Sequence, residues 1–165
     1  MAVRVTVDYH DRPAAMLKRA EKAARGSMLD SAKVWHRRFL PIHFTTAAWR
    51  RYDYTPRTKR YEIRKARTKR HRRPLVFSGR TRDMVRQAVF AVRKSKGEHV
   101  GTARMPVPPY FFKHPYRKAT GKFIDKPAEL TAIAGEEEQA FAELARRRVL
   151  RSLGENPERL RVTLK

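Results

Sequence analysis

From Arg50 to Arg73 the sequence sets 12 Lys or Arg in 24 residues against only Asp53 and Glu62, a local charge of +10. Such a stretch cannot enter a core, because an unpaired charge loses its hydration on burial. Pro56 interrupts it, and it has no apolar stripe wide enough to bury a helix. Residues 55–73 are therefore expected as a long basic loop or a solvent-facing helix. The excess extends to the whole chain, whose net charge is +24 and whose pI is near 11.3. A protein of this kind attracts polyanions and repels its own free copies.

The rest of the composition permits a core. Apolar residues are 41% and aromatics 10% of 165 residues, and a domain near this size buries roughly 70% of its extended-chain surface. The expected organisation is one domain over residues 1–165, with the basic segment 50–73 and an extended loop 106–126 as insertions. There is no cysteine, which excludes disulfides and thiolate zinc sites and suits a reducing compartment. The N-terminal residues carry acids and lack an apolar run of signal length, and no stretch approaches the ~20 apolar residues of a membrane span. The expectation is a soluble, cytosolically made protein.

Period-two alternation marks both ends as half-buried strands: Val3, Val5, Val7 and Tyr9 at one, Leu160, Val162 and Leu164 at the other. They either join the chain's own sheet or extend a neighbour's. Asp11 and Pro13 suit a helix start, and Met28, Ala32, Trp35 and Phe39 form a helical stripe that lasts until Pro41. Gly26 is either a break in that helix or a weak spot within it. "FTTAAWRRY" suggests a short helical turn. "PLVF" reads as a short strand, Ser78-Gly79 as a turn, and "TRDMVRQAV" as a helix burying Met84, Val85, Ala88 and Val89. "AVFAVRK" and "EHVGTARM" read as a hairpin. Glu136, Glu137 and Glu138 open a last helix that Arg146, Arg147, Arg148 and Arg151 close and Gly154 follows, with charges that complement the helix dipole. The fold class is α+β, an antiparallel sheet of about four strands with helices packed on one face.

Residues that could carry catalysis are poorly arranged. Glu136, Glu137 and Glu138 point in different directions around a helix. His10, His36, His43, His71, His99 and His114 form no ligand pair of standard spacing, and Pro41 separates His36 from His43. Ser78 lacks the Gly-x-Ser-x-Gly setting of a hydrolase elbow, and no glycine-rich phosphate cradle occurs. We expect no enzyme, no catalytic residue, no cofactor and no metal.

Binding is the better expectation. Arg57, Lys59, Arg60, Arg64, Lys65, Arg67, Lys69, Arg70, Arg72 and Arg73, interleaved with Tyr52, Tyr54 and Tyr61, are candidates for contact with a polyanion or an acidic protein partner. The proline-rich run from Pro106 to Lys126 carries Tyr110, Phe111, Phe112, Tyr116 and Phe123. These aromatics either fold back as a satellite core or anchor a subunit interface.

The order of phrases resembles the virion-morphogenesis or minor tail proteins of tailed bacteriophages, the group that includes neck and tail-completion proteins. The sharpest match is "PLVFSGRTRDMV", about a dozen residues within a broader likeness over 28–153, with Ser78, Gly79, Arg80 and Arg82 as its turn. Thr81 stands where the family has leucine. The family's tyrosine-alanine to glutamate-phenylalanine-glycine-threonine segment is replaced by "PPYFFKHPYRKATGK". The resemblance implies a structural protein that forms a homo-oligomeric ring at the head-tail junction, between portal or adaptor and tail-terminator or tail-tube proteins. It implies assembly in the host bacterial cytoplasm, non-specific contact with phage DNA as an option, and no membrane. The rival is a cellular nucleic-acid-binding protein, ribosome-associated in character.

Overall fold

A computed structural model of the chain describes residues 3–7, 14–76, 79–95, 98–112, 124–154 and 162–164. Its contacts divide the chain into two compact units. The first holds residues 1–35, 89–104 and 135–165; the second holds 36–88 and 105–134.

The first unit is built on two long helices, α1 (Ala14–Val34) and the C-terminal α6 (Gly135–Leu153). Small residues on α1 make close packing possible: Ala20, Ala23 and Ala24 form a cluster with Val149 and Leu153 of α6, and Met16 packs alongside. On α6 the buried residues Phe141, Ala145, Val149 and Leu153 recur every fourth position, so one stripe faces inward. The Arg148 guanidinium lies over Gly26 and pairs with Asp30. Gly26 is therefore a weak spot that α1 runs straight through. Gly154, at φ +66°, ends α6 in the left-handed conformation that glycine adopts without strain.

The sheet of this unit is mainly one hairpin, β2 (Val89–Ser95) and β3 (Glu98–Arg104), antiparallel in the register Val89↔Arg104 to Ser95↔Glu98. It is thus narrower than four full strands. Short backbone pairings lengthen it: β1 (Val3–Val7) pairs with β3, and β4 (Val162–Leu164) pairs with β1, giving the order β2-β3-β1-β4. Both terminal strands join the chain's own sheet. α1 presses on β3 at Gly101, where an added Cβ would stand 2.5 Å from the Met28 carbonyl oxygen. The α+β class is as expected. Asp11 and Pro13, the expected helix start, lie outside the described residues.

The second unit is made of short elements. A π-helical turn (Trp35–Phe39) carries the chain into it, and a 3-10 turn (Leu40–Phe44) follows with Pro41 in its first turn. Met28, Ala32, Trp35 and Phe39, the expected stripe, are all buried. The helices α2 (Ala48–Arg51), α3 (Lys59–Lys69), α4 (Arg80–Val85) and α5 (Lys126–Thr131), with a 3-10 turn at Pro109–Phe111, complete the unit.

Of the two forms expected for the basic segment, a long loop or a solvent-facing helix, it takes the helix, because Thr58 caps it by accepting from the Tyr61 amide and Glu62 sits in its first turn. Two other expectations fail. The described part of "PLVF", residues 74–76, is not a strand: Pro74 and Leu75 form a turn, and Leu75 has φ +52°, outside the extended region. The helix after it stops at Val85, burying Thr81 and Val85, while Met84 and Ala88 are half-buried and Val89 belongs to β2, 67% exposed.

Candidate polyanion and partner interface

α3 presents most of the basic run to solvent. Lys59, Arg60, Arg64, Arg67, Lys69, Arg70, Arg72 and Arg73 are exposed. Arg67 and Lys69 sit in the last turn, where cations favour the helix dipole, and Arg70 closes the helix at φ 53°. His71 is held below its ordinary value, first by burial and then by the charges of Lys65, Arg73 and Lys69. Charge crowding of this kind is relieved by an anion.

Two of the ten candidate cations are committed inward. Arg57 grips Glu129 with both terminal nitrogens, at 2.8 and 2.5 Å, and donates to the Thr55 carbonyl at 2.7 Å. Its guanidinium lies 5.3 Å from the Trp49 ring centroid. Lys65 is 4% exposed, and its ammonium donates to the Arg73 carbonyl. Burial, then the Arg57 charge, pushes Lys65 down to about 8 against the pull of Glu62. Neither residue is presented to solvent with the rest of the run: Arg57 is held by Glu129, and Lys65 is buried at a cavity wall.

The aromatic candidates divide as well. Phe111 is buried and meets Phe112 edge-on, so it is not an exposed anchor. Tyr110 and Phe112 are 45% and 63% exposed. Tyr116 and Phe123 lie outside the described residues, as does Ser78 of the turn. Gly79 takes φ +84° at the cap of α4, Arg80 is exposed, and Arg82 pairs with Asp83 at 3.3 Å. Thr81 is buried, with its hydroxyl 3.2 Å from the Tyr110 hydroxyl. The resembling phrase thereby positions one of the exposed aromatics.

Beneath these residues lies a buried polar group that the sequence did not suggest. His43 is fully buried and stacks on Tyr52 at 3.8 Å. Its Nδ1 bonds the Tyr54 hydroxyl and donates to the Glu129 carbonyl at 3.1 Å. Burial pushes it down to about 4. Glu129 is placed by α5, which Asp125 caps by accepting from the Ala128 amide at 2.9 Å. Asp125 followed by Pro127 was the available signal for this helix, an N-cap before a first-turn proline.

Trp49, Arg57, Tyr61, Arg64, Lys65, Thr81, Tyr110, Phe111 and Lys126 share the walls of one cavity of about 440 Å³ in this unit. Burial, then Arg57, holds Lys126 below its ordinary value, with Glu129 opposing. Among the described residues no group of three or more His, Cys, Asp or Glu is placed to hold a metal ion, and no helix is long and apolar enough to cross a membrane. Comparison with protein-family models, with curated proteins and with solved structures finds no match in any of the three.

Proposed function

We propose that the chain is a non-catalytic structural subunit of a tailed-phage virion, of the neck or tail-completion kind, acting as a ring at the head-tail junction. The observation that carries this reading is the Thr81–Tyr110 contact at 3.2 Å. It joins the phrase that resembles the phage family to the surface best suited to a partner. Around it stand the exposed rings of Tyr110 and Phe112 and the exposed cations of α3. Aromatic residues and arginine dominate interface energetics, and a chain of net charge +24 needs acidic neighbours to assemble closely. The partners on this reading are further copies of the chain, the portal or adaptor, and tail proteins.

A second reading, a cellular nucleic-acid-binding protein, is favoured by the eight exposed cations of residues 59–73. Electron cryomicroscopy of particles and native mass measurement separate the two. The expected result is a ring of this chain between head and tail, and an oligomer in solution that Phe112→Ser weakens. A monomer at every salt concentration with no ring density in particles would sink the assembly reading. Tight binding to structured RNA at high salt, lost when Arg64, Arg67, Arg70 and Arg72 become Ala, would establish the rival.

A further inference from the structure

The cavity of the second unit has a one-sided chemistry. Its lining includes Arg57, Arg64, Lys65 and Lys126 but no Asp or Glu. Arg57 is neutralised by Glu129. Lys65 is different: it is buried, its ammonium donates to the Arg73 carbonyl, and the Glu62 charge only partly offsets its burial and the charge of Arg57. A buried ammonium whose burial is only partly offset weakens the fold that carries it, so its presence at a cavity wall leaves a place for a ligand that supplies more negative charge. The lining also has an apolar part, the buried side chains of Val76, Phe111 and Ile124.

The aromatic rings argue about the kind of anion. Tyr61 carries Arg64 and Lys65 over its ring at 5.8 and 5.6 Å. Trp49 carries Arg57 and meets the Tyr54 ring edge-on at 6.2 Å. Rings already covered by cations are poor platforms for a nucleobase, which needs an open face. An aliphatic or aromatic side chain flanked by carboxylates suits the remaining space.

We propose that this cavity receives an acidic peptide segment of a partner subunit, with an apolar side chain against Val76, Phe111 and Ile124 and flanking carboxylates on Lys65, Arg64 and Lys126. The partner's being a subunit rests on the assembly reading above; the acidic-apolar chemistry rests on the cavity. The charged and titratable groups around Lys65 are Arg57, Glu62, Arg64, His71 and Lys126. A carboxylate beside Lys65 favours its protonated form, so binding takes up a proton and weakens as pH rises from 7 to 9 through the value near 8.

The test uses the full chain and a fluorescein-labelled peptide in which a Phe-Leu pair is flanked by glutamates, followed by anisotropy at about 150 mM salt. We expect saturable binding that falls about tenfold or more when the glutamates become Gln, and as much when Phe-Leu becomes Ser-Ser. Arg64→Gln and Lys126→Gln should each weaken it about fivefold with an unchanged melting temperature. Lys65→Met should remove the dependence on pH between 7 and 9. No saturable binding, equal binding of the Ser-Ser peptide, or an oligothymidine that displaces the peptide and loses affinity in the Lys126→Gln protein would each overturn the proposal. Rings left intact by excess peptide sink the cavity proposal alone. Peptide binding by a chain that gives no ring density sinks the assembly reading alone.

Discussion

The imidazole of His43 stands neutral in the second unit because burial disfavours its charged form, against the Glu129 carbonyl that accepts from Nδ1. Burial lowers its folded value to about 4 from an ordinary 6.5. The unfolded chain therefore takes the proton first as pH falls, and stability is lost across the window from 6.5 down to about 4. The loss amounts to something on the order of 3 kcal/mol at the lower end. Hydrogen exchange should show weakening protection in residues 36–88 and 105–134 over that window. His43→Gln should be less stable at pH 7 but should flatten the acid slope; a slope identical to the parent's would remove His43 as its source. Nothing in the sequence announced this group. His43 was one of six scattered histidines, and its partners Tyr54 and Glu129 lie 11 and 86 positions away. Pairings so distant leave no periodic trace, and the same holds for Arg57 with Glu129, 72 positions apart.

At the scale of elements, the legible ones were those whose own residues determine them. The α6 helix with its acidic start, basic end and Gly154 stop, the hairpin and the α1 stripe were readable because period and cap chemistry are local. "PLVF" misled because four apolar residues in a row fit a strand or a buried turn equally well, and the backbone of Leu75 decides between them. α3 was ambiguous because its stability comes from Thr58, Glu62 and the committed side chains of Arg57 and Lys65, not from an apolar face. Two glycines give opposite expectations. Gly101→Ala sets a methyl 2.5 Å from the Met28 carbonyl oxygen, a backbone atom that cannot step aside. It should destabilise by about 1–3 kcal/mol. Gly26→Ala meets only the far end of the Arg148 side chain, at 2.7 Å. It should be neutral or stabilise by up to about 1 kcal/mol through helix propensity. Thermal midpoints of the two variants check both, and a well-tolerated Gly101→Ala would contradict the close packing of β3 on α1.

For the whole molecule, the net charge of +24 sets behaviour in solution. Six to eight phosphates neutralised by the exposed cations of residues 59–73 would give a slope of log K against log salt of roughly −5 to −7. Arg60→Gln and Arg67→Gln should each reduce that slope by about 1, measured on a random duplex. A slope near zero would mean that the basic helix serves a protein surface instead. The division into two units was not legible, since each is assembled from stretches separated by the other. That interleaving has a consequence for synthesis. All residues of the second unit have been made once Ala134 is joined, while α1 still waits for α6 to supply Val149 and Leu153. On the ribosome the second unit can therefore close first. Until the last helix emerges, the small-residue face of α1 is a surface that a chaperone can hold.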